Sequence, residues 1–189
     1  MATVSLKHRF RSDQFLRMAE AGIFPPDARI ELLGGEIVPM SPIGPRHSAS
    51  TKLLFRTLMA HLTDGWHMGI QDPVDLDSCS QPQPDISIIR GKPEDYSQHH
   101  PTAADIGLLI EVADSSLELD TGVKRALYAA SGIPEYWVVD LINCIIEQST
   151  LPGPSGYGST EIHGMLDSVT ATVINGLSVQ VSAIFPQER

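Results

Sequence analysis

The sequence predicts an α/β fold built on a mixed β-sheet, and three stretches carry that prediction. "IGLLIEVAD" is a continuous apolar run of the kind that forms a strand buried on both faces. "TGVKRALYAASG" follows as a short helix, capped by Asp120 and closed by Gly132. "PEYWVVDLINCIIEQST" then reads as two strands joined near Ile142-Asn143. Strands interleaved with helices in one chain of 189 residues point to one domain over residues 1–189 with a single core.

The other elements follow in chain order. "SDQFLRMAEAGIF" places Ser12 as a helix N-cap, with Phe15, Leu16, Met18 and Ala19 as its apolar residues and Gly22 as its stop. "ARIELLGGEIVPM" reads as two short strands around Gly34-Gly35, an N-terminal β-hairpin. "SPIGPRHS" is a Pro/Gly loop entering a second helix, in which Leu53, Leu54, Thr57, Leu58 and His61 recur at helical spacing. "WHMGIQDPVDLDSCSQPQPDISII" begins with a strand, crosses a polar loop and ends in a strand from Asp85. "RGKPEDYSQHHPTAAD" is a polar connection, "LPGPSGYG" a loop, and "SVTATVINGLSVQVSAIF" a β-rich tail.

Composition narrows the function classes. Two cysteines, Cys79 and Cys144, share no motif spacing, so neither a disulfide framework nor a zinc site is expected. No apolar run has signal-peptide or membrane-spanning character, and the expectation is a cytoplasmic protein without a membrane. The net charge of -10 argues against a broad nucleic-acid surface. A basic patch has to be local, from Lys7, His8, Arg9 and Arg11 or from Arg46, Lys52 and Arg56. No GxSxG, P-loop or GxGxxG is present.

Two acids stand out against this background. Glu111 interrupts an apolar strand, where an unpaired carboxylate costs several kcal/mol. Strand alternation puts Ile106, Leu108, Ile110 and Val112 on one face and Leu109, Glu111 and Ala113 on the other. Asp85 shares a face with Ser87 and Ile89. If the two strands are neighbours, Asp85 and Glu111 point into one space and can hold a hard divalent cation. The following helix offers a cation. With Val123 at the centre of a buried stripe of Ala126, Leu127 and Ala130, Lys124 lies at the border, roughly 100° away. From there its ammonium can reach the same pocket. Two acids and a lysine suit metal-assisted phosphodiester hydrolysis. Each also has a plain structural reading: a strand-opening Asp, a solvent-facing Glu, a snorkelling Lys. His47, in the first turn of a helix, is a substrate-contacting or accessory candidate. Glu31 and Glu36 read as surface residues of the hairpin, either of which becomes a third acid if the hairpin folds over the pocket.

Taken together, "RIELLGGEIVPMSPIGPRHS", "PQPDISIIR", "LLIEVADSSLELDTGVKRALYAASGIPEYWVVD" and "GLSVQVSAIF" resemble the Uma-type putative restriction endonuclease family, long carried as a domain of unknown function. That family belongs to the PD-(D/E)XK restriction-endonuclease-like superfamily. The resemblance implies a restriction-endonuclease-like core, a mixed central sheet flanked by helices, and an endonuclease acting on DNA with Mg2+, for which Mn2+ can substitute. By position, Asp85 matches the acid of the "PD" element and Glu111 that of the second element, with the Val112 carbonyl as a further metal ligand. Ala113 stands where the superfamily pattern has lysine, and the resemblance assigns that role to Lys124, which would activate water and stabilise the transition state. The alternative expectation is a catalytically silent binding or regulatory module on the same fold, paired as a homodimer. A third keeps the metal and changes the substrate to RNA or a nucleotide.

Overall fold

A computed structural model of the protein describes residues 7–186. At its centre is a six-stranded sheet in the order β3-β4-β5-β6-β7-β8: Trp66–Ile70, Ile86–Arg90, Ile106–Ala113, Glu135–Asp140, Ile145–Gly153 and Gly156–His163. Only β5 and β6 are parallel; the other neighbours are antiparallel, so the sheet is mixed. A parallel pair needs a crossover. Residues 117–130 supply it as a continuous helical stretch: α3 (Leu117–Leu119), a π-helical turn (Asp120–Lys124) and α4 (Arg125–Ala130).

Two apolar layers sandwich the sheet. On one face Ile86, Ile88, Leu108, Ile110, Val112, Trp137 and Val139 pack against α2 (Pro45–Met59), through Leu54 and Leu58, and against the C-terminal segment. On the other, Ile89, Leu109, Ala113, Tyr136 and Val138 pack against Tyr128 and Ile133. All eight residues of β5 are buried, as its unbroken apolar pattern requires. The C-terminal segment is pinned by Glu135, whose buried carboxylate accepts hydrogen bonds from Trp137 Nε1, Gln148 Nε2 and the backbone N–H of Thr172.

Outside the sheet, α1 (Ser12–Glu20) precedes the hairpin of β1 (Ile30–Leu33) and β2 (Glu36–Pro39). Gly34 and Gly35 both have positive φ, the backbone that a two-residue hairpin turn with matching twist demands. The bridge between Leu32 and Gln81 ties the hairpin to the segment leading into β4 and brings it over the end of the central sheet. Two further short strands, β9 (Ser168–Thr170) and β10 (Ser178–Gln180), pair in the tail.

Several expectations are corrected. Ile106 joins the second layer, with Ile89, and not the face of Leu108 and Ile110. The β4–β5 register skips Gly107 between Ile88 and Ile89, and this bulge reverses the alternation. Glycine is needed there because a Cβ would lie 2.7 Å from the Trp66 ring. "LPGPSGYG" is the tip of the β7–β8 hairpin rather than a loop. The strand expected from Asp85 begins at Ile86, and α2 ends before His61. Asp120 is no helix cap: it lies inside the helical stretch, whose first turn follows Ser116. The expected apolar stripe is also on the wrong side. Val123 is 51% exposed, while Asp120, Lys124 and Tyr128 face inward. Among the described residues, no helix is long and apolar enough to cross a membrane.

Candidate active site

Antiparallel pairing of β4 with β5 places Asp85, just before β4, beside the last residues of β5. The backbone N–H of Asp85 lies 3.4 Å from Glu111 Oε2, and the N–H of Val112 donates to Asp85 Oδ2 at 2.9 Å. In a strand, the N–H and C=O of one residue point to the same side, and successive residues alternate. The Ala113 carbonyl turns toward β6, where it accepts from Leu141 N–H. The Val112 carbonyl therefore turns the other way, toward Asp85.

Asp85 is held from three directions. His47 Nε2, in the first turn of α2, is 3.0 Å from Oδ2, and Gln71 Nε2 donates to Oδ1 at 2.9 Å. Burial alone would raise the Asp85 pKa; His47, Gln71 and the Val112 N–H outweigh it and hold the carboxyl below its usual range. His47 shows the reciprocal effect. Burial opposes its charge, and Asp85 outweighs burial and raises the imidazole pKa.

Glu111, only 4% exposed, is the centre of a second cluster. Its Oε1 accepts from Lys124 Nζ at 3.0 Å and from Tyr128 Oη at 2.9 Å. Lys124 Nζ is also 3.1 Å from Glu31 Oε1 and 3.8 Å from Asp120 Oδ1. Burial drives the Glu111 pKa well above the carboxylate range, with Lys124 acting against it. Burial would also discharge Lys124, but Glu111, Glu31 and Asp120 prevail and raise its pKa, so it stays an ammonium. Asp120, bonded to Ser116 Oγ at 2.6 Å, is pushed up to about 6, chiefly by burial.

The Asp120 shift gives a pH-dependent stability. Its folded pKa exceeds the ordinary 3.8, so the native state holds the proton more tightly. Stability from this group is therefore greatest below about pH 4 and declines as pH rises through 6. Asp120→Asn is expected to melt above the parent at pH 7.5, with the difference closing near pH 4. Thermal melts at both pH values check this; a variant less stable at both would disprove it.

The structure thus brings Asp85, Glu111, Lys124, His47 and Glu31 together. Glu31 is buried, not a surface residue, because the hairpin lies over the pocket and its Oε2 accepts from Gln83 N–H at 3.2 Å. Glu36 lies apart, paired with Lys7 at 3.2 Å on the exposed side of the hairpin. Asp120, Tyr128 and Gln71 were not singled out as site residues from sequence. The spacing of Asp120, Lys124 and Tyr128, four apart on one helix, was the available signal for the first two. The pocket above these groups is small and partly open to solvent, and is walled by Met40–Ile43 and by Asp114, Ser115 and Leu119.

A hard cation fits the donor set. Asp85, Glu111 and the Val112 carbonyl offer oxygens alone, and the buried acids Glu31, Asp85, Glu111 and Asp120 outnumber the single buried lysine. Among the described residues no three His, Cys, Asp or Glu side chains form a ready metal cage. Two carboxylates with water and substrate completing the shell are the usual way of holding Mg2+.

The comparisons with known proteins agree with this architecture. A crystal structure titled as a "putative nuclease belonging to DUF820", from Anabaena variabilis ATCC 29413, superimposes with a TM-score of 0.70 at 14% identity. The match covers 92% of this chain and 96% of that one, and shows a shared fold. No curated protein sequence matches the chain significantly. The family model Uma2, described as "Putative restriction endonuclease", matches residues 12–182. With the whole central sheet and the pocket inside that match, the chain belongs to the Uma2 family.

Proposed function

We propose that the protein is a metal-dependent endonuclease that hydrolyses DNA phosphodiester bonds, with Mg2+ or Mn2+ held by Asp85, Glu111 and the Val112 carbonyl. The observation that supports this most is the meeting of two buried carboxylates, one just before β4 and one on β5, beside a buried ammonium. DNA as substrate rests on the description of the family. A divalent cation bound there supplies a water of lowered pKa and polarises the phosphoryl oxygen.

The remaining work falls to the chain. Gln71, His47 and the Val112 N–H fix the orientation of the Asp85 carboxylate. Tyr128 and Lys124 fix Glu111. Lys124, surrounded by three carboxylates, keeps its proton, so its role narrows from activating water to offsetting the negative charge that grows on phosphorus. His47 acts through Asp85 as a positioning residue, and Glu31 acts through Lys124. Met40–Ile43 and Leu119 form one wall of the pocket.

A second reading has one observation in its favour: Lys124 is so fully engaged by acids, in a chain of charge -10, that a silent nuclease-fold module would look the same. Plasmid nicking separates the two. The enzyme reading expects open circles in Mg2+ or Mn2+ and none in EDTA. A folded sample that cuts nothing in either metal overturns it.

A further inference from the structure

Five carboxylates line the pocket, from Glu31, Asp85, Glu111, Asp114 and Asp120, against two permanent cations, Arg29 and Lys124. An incoming phosphodiester therefore meets an excess of negative charge, on a protein already at -10. Lys124 is held by Glu31, Glu111 and Asp120, so it acts on a phosphate through its charge and offers it no free N–H, and His47 is held by Asp85. Arg29 differs from both. It stands immediately before β1, half-buried in the pocket wall, and its guanidinium donates to the Ser41 carbonyl at 3.1 Å. That is its one side-chain hydrogen bond among the described residues, and no carboxylate there pairs with it. A guanidinium has five N–H donors in a planar fork matched to two phosphate oxygens. Ser41 takes one of them and ties the fork to the loop that forms the pocket wall.

An arginine left without an acid partner in a pocket with five of them is the lining cation available to an anion. Resting on the reading of the site as a phosphodiesterase, we infer that Arg29 binds non-bridging oxygens of a substrate phosphate at the pocket wall. It supplies a positive charge with free N–H donors, which Lys124 and His47 do not offer. The rival explanation is that Arg29 only anchors the loop at Ser41.

Arg29→Gln removes the charge and, ending two bonds short of Nη1, the reach to Ser41 as well, while Arg29→Lys keeps the charge; the salt slope then tells a phosphate contact from a loop anchor. In the cleavage assay, Arg29→Gln should raise KM about tenfold with kcat nearly unchanged, and Arg29→Lys should recover much of the loss. Binding of a labelled DNA oligonucleotide is measured in parallel, in a Glu111→Gln background. There, Arg29→Gln should lower the slope of log K against log salt by about one phosphate contact. An unchanged KM and an unchanged slope overturn the inference. So does a loss in Arg29→Gln accompanied by a lower melting temperature and an unchanged salt slope, which would mark a loop anchor. If the parent cuts nothing but the salt slope still falls, the phosphodiesterase reading fails and the phosphate contact stands.

Discussion

Glu111→Gln is expected to remove metal-dependent cleavage, by at least about a hundredfold in kcat, while leaving the fold as stable as before or more so. The two effects share one cause. Glu111 lies at the floor of the pocket with its pKa driven up by burial, so at neutral pH its charge opposes folding. Glutamine keeps the shape and can still accept the Tyr128 hydroxyl proton, with no charge to desolvate. It loses the anionic oxygen that a hard cation needs. Melts at pH 8 alongside the nicking assay test both halves. Wild-type turnover in the variant would remove Glu111 from the proposed chemistry, and a large fall in melting temperature would mean that its carboxylate is structural.

Lys124→Met should have the largest effect on stability, a loss of about 3–5 kcal/mol at pH 7.5. Methionine fills similar space but leaves Glu31, Glu111 and Asp120 facing one another without a counter-charge. The deficit has a pH signature. Glu111 and Asp120 already hold protons above the usual carboxylate range, and without the ammonium they hold them higher still. Protonation below about pH 5 then removes the repulsion, so parent and variant should converge in acid. Urea unfolding at pH 7.5 and pH 4.5 measures this. A deficit of the same size at both would point to lost packing, not to uncompensated charge.

Much of this site was legible because its residues break local rules. Glu111 is an acid in a run that is otherwise apolar, and Gly34-Gly35 between two short apolar stretches marks a hairpin by composition alone. Asp85 and Glu111 could be paired once the strands were taken as neighbours. In sequence Glu31 reads as a surface residue because a four-residue strand carries too little alternation to say which face is covered. Its burial depends on the Leu32–Gln81 bridge, a contact across 49 positions that no local pattern encodes. The face of the 117–130 helix was missed for a different reason. The apolar residues of this helix predict the inward face, but it packs on the site, and its inward residues are Asp120, Lys124 and Tyr128. Ile106 was misplaced because strand alternation fails at the Gly107 bulge.

The π-helical turn at Asp120–Lys124 has a geometric consequence. In an α-helix each step of four residues advances about 40°, so positions 120, 124 and 128 would spiral through about 80°. A π turn, at about 4.4 residues per turn, takes its step of four backwards by about 33°. The retreat from Asp120 to Lys124 nearly cancels the advance from Lys124 to Tyr128, so Asp120 and Tyr128 fall within about 10° of one another, with Lys124 about 35° to one side, a narrower column than the α spiral. A column can lie along a straight strand where a spiral would leave it. Regularising that turn to α, with every side chain kept, would carry Asp120 around the axis and out of the column. The charge balance over β5 is thus set by the pitch of a single helical turn as well as by the residues in it.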